Sequence, residues 1–281
     1  MSNRADRTPN IWRKQYALPA EHGSWIWWLG PLFIGLAAGG HPDLDAVLLF
    51  LAVLFAFLLR QPSTIIVKAI SGRRPKADLV PALFWIIGYG LIAGLAVWAL
   101  IASGHPQVVL LAIPGVPVFA WHLWLVSRRA ERGQMGIELV GAGVLALAAP
   151  AGYWVAGGMS ERVPWILWLL TWLQTAASIV FVYLRLDQRK LEATPLPRDR
   201  WRQGGRTLIY HAFNLVASLG LAILGWAPWL VPVAFTLMLA DALEGVTHPP
   251  VGAKPAAIGF RQLGASALFM IVMTLGYRLK V

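Results

Sequence analysis

The stretch LVPALFWIIGYGLIAGLAVWALIA, residues 79–102, contains no charged side chain. In hydrocarbon a backbone must satisfy its N–H and C=O groups internally, and about 20 apolar residues are needed to cross. A segment of this kind suits a membrane-spanning α-helix and few other environments. Comparable runs recur along the chain, and spans are predicted over 24–40, 45–66, 79–102, 107–127, 138–157, 163–184, 207–225, 227–244 and 262–279. The first is short, and Pro62 is expected to kink the second near its end. GWAPW (225–229) reads as a tight turn between the seventh and eighth. The expected fold is an all-α integral membrane protein of about nine transmembrane helices. Residues 1–16 would form a cytoplasmic N-terminal segment and 17–281 a single multi-pass domain.

Composition agrees. Of 281 residues, 58% are hydrophobic and only 13% charged, where a soluble domain carries about a quarter. Cysteine is absent, which excludes disulfides, thiolate metal sites and cysteine nucleophiles. No cleavable signal is expected, because residues 1–16 are polar and basic and a full span follows them. A net charge of +11 raises nucleic-acid binding, but the placement of the charge argues against it. With the N-terminus inside, every Lys and Arg except Arg162, Arg278 and Lys280 falls in a cytoplasmic segment. The positive charge is a topology signal, and a cell membrane, bacterial inner membrane by expectation, is the location. Tryptophans near span ends, among them Trp25, Trp27, Trp28, Trp165, Trp168, Trp226 and Trp229, fit interfacial belts. GLAAG (35–39) and GLIAG (90–94) set small residues four apart, a pattern that lets helices approach closely.

Polar residues concentrate at the predicted cytoplasmic ends. LPAEHGSWIWWLG brings Glu21 and His22 to the threshold of the first span. RQPSTIIVK closes the second with Arg60 and Gln61, and sets Arg60, Thr64 and Lys68 on one helical face. His122 ends the fourth span and Glu138 opens the fifth. The sixth ends with Arg185 and Asp187, behind a stripe of Thr171, Gln174 and Ser178. Arg206 precedes the seventh, which opens with Thr207, His211, Asn214 and Ser218. Asp241, Glu244 and His248 close the eighth. Ionisable groups at this depth cost a few kcal/mol each unless paired or facing a wet cavity. The set therefore predicts a polar cavity open to the cytoplasm. Its substrate-binding candidates are Glu21, His22, Arg60, Gln61, His122, Glu138, Arg185, Asp187, Arg206, His211, Asn214, Asp241 and Glu244. Taken singly, Glu21 also reads as a helix-dipole partner, His122 as an interface residue, and Glu138 with Arg185, or Asp241 with Arg206, as structural ion pairs.

The segments LPAEHGSWIWWLGPLFIG and FLLRQP resemble the YwiC-like membrane proteins. More distantly, the order of features is similar to the UbiA superfamily of intramembrane prenyltransferases. GPLFIG (30–35), GQMGIELVGAGVLALAAPAGYWVAGG (133–158) and FVYLRLDQRK with DRWRQGGRTL (199–208) carry that likeness. It implies a nine-helix bundle with a cytoplasm-facing site. In that superfamily Asp-rich motifs on the second and sixth helices hold a diphosphate through Mg²⁺. Here the second span ends RQPSTIIVKAISGRR, with no Asp before Asp78, and of the second motif Arg185 and Asp187 survive. Mg²⁺ thus enters by family analogy alone, no metal ligands are assigned, and any cofactor is left open.

Two readings follow. In the first, an isoprenoid, quinone or other membrane lipid enters laterally with its headgroup among Arg60, Arg185 and Arg206. Glu138, Asp241, Glu244, His22 or His211 would then be the general bases of a prenyltransferase-like transfer. In the second, the chain is a small-solute transporter, which predicts polarity continuing through the midplane. A non-catalytic assembly role is compatible with the same residues, and protein partners are left open.

Overall fold

The computed structural model describes residues 10–19, 23–130 and 133–280. Within them the helices are α1 (Lys14–Ala17), α2 (Ile26–Gly39), α3 (Leu44–Leu58), α4 (Arg60–Ile70), α5 (Leu79–Ala102), α6 (Gln107–Ala112) and α7 (Gly115–Ser127). They continue with α8 (Met135–Leu145), α9 (Ala148–Val155), α10 (Val163–Gln188), α11 (Pro197–Ile223), α12 (Leu230–Thr247) and α13 (Pro255–Leu279). Eight stretches are long and apolar enough to cross a membrane: Leu44–Ile70, Lys76–Ala102, Gln107–Ser127, Met135–Val155, Val163–Gln188, Pro197–Ile223, Leu230–Thr247 and Pro255–Leu279. The chain is an all-α, multi-pass membrane protein. The first predicted span is the 14-residue α2, about 21 Å long at 1.5 Å per residue against a hydrocarbon layer of roughly 30 Å.

Three spans are each built from two helices, and proline explains where they divide. A proline has no N–H for the carbonyl four residues earlier, and its ring crowds that carbonyl. Pro62, Pro117 and Pro150 thereby disrupt the ladder at Leu58, Ile113 and Ala146. The breaks follow: α3 ends at Leu58, α6 at Ala112 and α8 at Leu145. The kink expected from Pro62 accordingly falls ahead of the proline, at Leu59. Elsewhere proline starts helices, in the first turns of α10, α11 and α13. Helix α11 begins at Pro197 rather than at 207, and α13 at Pro255 rather than at 262. The first turns of α11 are polar, and in α13 Arg261 and Gln262 cut the short opening PAAIGF off from the apolar run, so hydropathy misses both starts, and Arg206 and Arg261 stand on helices instead of in loops.

The chain divides into two compact units. Unit 1 draws on Met1–His22 and Val47–Ile137, unit 2 on Gly23–Ala46 and Glu138–Val281. In unit 1, residues 11–17 are fastened to α4 and α5. Trp85 Nε1 donates to the Ile11 carbonyl at 2.9 Å, Tyr89 Oη to Ala17 at 3.1 Å and Gln61 Nε2 to Gln15 at 2.8 Å. Tyr16 is buried with Ile65 and Ala82, and its hydroxyl donates to Asp78 Oδ1 at 2.7 Å. Arg74 lies 3.4 Å from the other Asp78 oxygen.

Unit 2 is centred on Ile34, Ala149, Leu167, Leu170, Val231, Phe235, Phe269 and Met273. GLAAG works here as its spacing predicts. A Cβ on Gly35 would meet the Ala149 carbonyl at 2.1 Å, and one on Gly39 the Tyr153 carbonyl at 2.4 Å. Helices α2 and α9 therefore touch backbone to backbone. GLIAG does not repeat this, because Gly90 and Gly94 have open space around their Cα atoms. Among the belt tryptophans, Trp165, Trp226 and Trp229 are exposed, whereas Trp28 is fully buried and is a packing residue. Trp168 and Trp172 stack at 5.2 Å and donate their indole N–H groups to the Gly143 and Leu139 carbonyls.

Candidate functional site

Asp241 and Glu244 lie three residues apart on α12, so they share a face and present two carboxylates to whatever packs there. That partner is Arg261, in the second turn of α13. Its Nη2 lies 2.6 Å from Asp241 Oδ1 and also contacts Glu244 Oε2, while Nε donates to Asp241 Oδ1 at 3.1 Å. His248 Nδ1 stands 3.6 Å from the other Glu244 oxygen. The cluster is half open: Arg261, Asp241 and Glu244 side chains are 35%, 21% and 46% exposed. One cation bridges the two carboxylates, and the Arg185 guanidinium acts on both of them from α10. The pairing of Asp241 with Arg206 is replaced by Asp241 with Arg261. From sequence Arg261 reads as a topology charge, and the start signal that places it on a helix is Pro255.

Arg185 behaves differently from the ligand expected of it. It is buried at 7% exposure, and its Nη1 donates to the carbonyls of Gly245 at 2.7 Å and His248 at 2.9 Å. Those are terminal carbonyls of α12, which have no partner inside the helix and carry its negative dipole end. The guanidinium also lies 5.7 Å from the centre of the Phe181 ring. Arg185 thus caps α12 from α10, and a Cβ on Gly245 would come within 3.1 Å of its Nη1. Arg200 extends the same function by donating to Thr247 at 2.8 Å, and Arg189 holds Ala253 at 2.9 Å.

The remaining unit 2 candidates divide between packing and surface. Asp187 is 74% exposed and pairs with Lys190 at 2.9 Å. Glu138 accepts a hydrogen bond from Tyr183 at 3.0 Å, joining α8 to α10. His211 is buried, with Phe181 edge-on at 6.1 Å. Its Nδ1 lies 2.9 Å from the Thr207 carbonyl. A carbonyl can only accept, so neutral His211 has its lone pair on Nε2. Asn214 is buried and donates to Leu173 at 2.8 Å. Arg206 sits 5.8 Å above the Tyr210 ring. Beside Asp187, a groove of about 280 Å³ is lined by Leu184, Asp187, Gln188, Leu191 and Gln203. Gln188 is 2% exposed there; its Nε2 donates to Gln203 at 3.3 Å, and its Oε1 has no donor among the described residues. Neither glutamine was singled out by sequence, because only the meeting of α10 and α11 makes them a pair.

In unit 1, Arg60 Nε donates to His122 Nε2 at 3.4 Å, linking α4 to α7, and Gln61 is spent on the Gln15 carbonyl. His122 is therefore a partner of Arg60 rather than a lone interface residue. Glu21 and His22 lie outside the described residues. Mg²⁺ does not fit the carboxylates present: Asp241 and Glu244 both engage Arg261, and among the described residues no group of three or more His, Asp or Glu is placed to hold a metal.

Residues 18–153 match the family model for YwiC-like protein. The resemblance noted in LPAEHGSWIWWLGPLFIG and FLLRQP is borne out over that segment. No curated protein and no solved structure matches the chain. The YwiC-like segment takes in α2 through most of α9. The cluster of Asp241, Glu244 and Arg261, the Arg185 cap and the groove beside Gln188 all lie beyond it.

Proposed function

We propose that the chain is a lipid-handling membrane protein, in a UbiA-like arrangement with a cytoplasmic N-terminus, and that the polar end of unit 2 receives an amphiphile's headgroup. The observation that carries this is the groove beside Gln188. Leu184 and Leu191 offer apolar walls and the exposed Asp187 an acceptor, while Gln188 Oε1 lies buried behind this lining without a donor among the described residues. A buried acceptor without a donor costs about 1–3 kcal/mol, which a ligand donor would recover. The chemistry suits an isoprenoid alcohol, a quinol or another lipid whose headgroup presents hydroxyl or amine hydrogens. An anionic head among Arg60, Arg185 and Arg206 is less well supported, because Arg185 is engaged with α12. Transport of a small solute is the second reading, favoured by the buried polar residues in the middle of α10.

Native mass spectrometry of protein extracted gently from its own membrane tests the lipid reading, with Gln188→Leu beside the wild type. A discrete isoprenoid or quinone mass on the wild type, lost in the variant, is expected. Bare protein, or the same mixed phospholipids on both forms, refutes it.

A further inference from the structure

We infer that the outward face of α11 binds an anionic phospholipid, its phosphate among the arginines of the opening turns and its acyl chains along the apolar stripe that continues them. Helix α11 runs for 27 residues, from Pro197 to Ile223. At 1.5 Å per residue it is about 40 Å long, about 10 Å more than the hydrocarbon layer. Its opening PRDRWRQGGR therefore stands at headgroup depth.

Positions three or four apart share a helix face. Arg198, Arg202 and Arg206 fall on one such face, and Ile209, Phe213 and Val216 continue it. All six are exposed, the apolar three by 60% to 69%. The face that meets acyl chains thus passes directly into guanidiniums. Neighbouring arginines are used differently: Arg189 and Arg200 are spent on the Ala253 and Thr247 carbonyls. Arg198 and Arg202 have no side-chain hydrogen bond or ion pair among the described residues. Gly205 lies between Arg202 and Ile209, and nothing stands within 4 Å of the place its Cβ would take, so a phosphate oxygen can come close to the helix. Trp201, 48% exposed, flanks the stripe as an interfacial ring. Guanidinium groups bind phosphate through paired N–H donors. A phosphatidylglycerol head offers that phosphate with no cation, whereas phosphatidylcholine adds a quaternary ammonium that a row of arginines repels.

The site does not rest on the lipid-handling reading, because the groove uses Gln203, which lies about 100° around the helix from Arg202. The test is thermal unfolding of the full chain in micelles with added phosphatidylglycerol or phosphatidylcholine of the same acyl chains. The wild type should melt about 2–4 °C higher with the anionic lipid. Arg198→Gln with Arg202→Gln should lose that excess and keep the phosphatidylcholine melt. Lys14→Gln with Lys254→Gln removes the same charge from exposed positions elsewhere and should keep the excess. Equal wild-type melting in the two lipids overturns the inference. An excess kept in the arginine variant, or lost equally in the lysine variant, overturns the location in favour of general basic charge. An arginine variant that melts low in both lipids assigns the pair to the fold and overturns the site. An equal rise with glycerol phosphate alone makes the ligand a free phosphate and overturns the lipid.

Discussion

Replacing Gly35 with alanine tests the contact between α2 and α9 that holds one wall of unit 2. The added Cβ would stand 2.1 Å from the Ala149 carbonyl oxygen and 2.9 Å from its carbon and Cα. All three are backbone atoms within a helix, so no side-chain rotation relieves them, and the helices must separate by more than 1 Å. Overpacking of this kind costs about 1–3 kcal/mol, and more where the neighbour is rigid. Alanine returns up to about 1 kcal/mol of helix propensity. The net loss is about 2 kcal/mol, or roughly 4–8 °C in Tm. Gly94→Ala supplies the control, since nothing lies within 4 Å of its would-be Cβ and propensity acts alone. Its Tm should hold or rise by a few degrees. The fifteen tryptophans provide the fluorescence signal for melting both variants in one detergent. If Gly35→Ala melts at or above Gly94→Ala, the backbone-to-backbone packing of α2 on α9 is wrong.

Arg185→Met keeps most of the side-chain volume but strands the Gly245 and His248 carbonyls. Two charge-assisted bonds make the expected loss about 3 kcal/mol or more. Arg185→Lys should recover part of it, and melting plus protease access near Pro249 reads both; wild-type stability in Arg185→Met would refute the capping role. Tyr16→Phe removes a buried bond to Asp78 worth about 1 kcal/mol. Burial first, then the Asp78 bond and charge, raise the Tyr16 phenol above its ordinary 10.0. The neutral form is thus favoured in the folded state, and its contribution is complete below pH 10 and is lost as pH rises through the raised value. The wild type's advantage over Tyr16→Phe, measured by denaturation, should shrink above pH 10; a gap that widens there would refute the assignment.

How much was legible in the sequence depended on whether a signal was local. Apolar length marked the spans, because hydrocarbon admits little besides helix. Proline marked their interruptions, though only the missing i−4 bond says that Pro62 acts at Leu59. The polar first turns of α11 are invisible to hydropathy, as is the short PAAIGF opening of α13 ahead of Arg261 and Gln262, and with it goes the position of Arg261. The residues of the polar end were mostly recognised as a set, yet their pairings were not. Nothing in the spacing of Asp241 and Glu244 says which cation faces them, since Arg206 and Arg261 both stand near predicted span ends. The glutamine pair was harder still, for Gln188 and Gln203 are ordinary residues until α10 and α11 bring them together.

Arg185 shows why residue type and depth do not by themselves reveal a ligand. An arginine at the end of a spanning helix, two residues before an aspartate, satisfies the pattern of a substrate clamp. The same position suits an arginine that closes the neighbouring helix, because free carbonyls gather wherever a helix ends near the membrane surface. What separates the roles is where the five N–H groups point. At Arg185 one terminal nitrogen serves two carbonyls of α12, and the side chain is buried against Phe181. At Arg261 the partners are carboxylates that remain partly open. An incoming headgroup can exchange bonds with an open ion pair at small cost, whereas displacing Arg185 would unfasten the end of α12. Loss of a bound lipid in an Arg185 variant would therefore report on the scaffold as readily as on a site. The same loss in Gln188→Leu, with melting unchanged, would report on the groove.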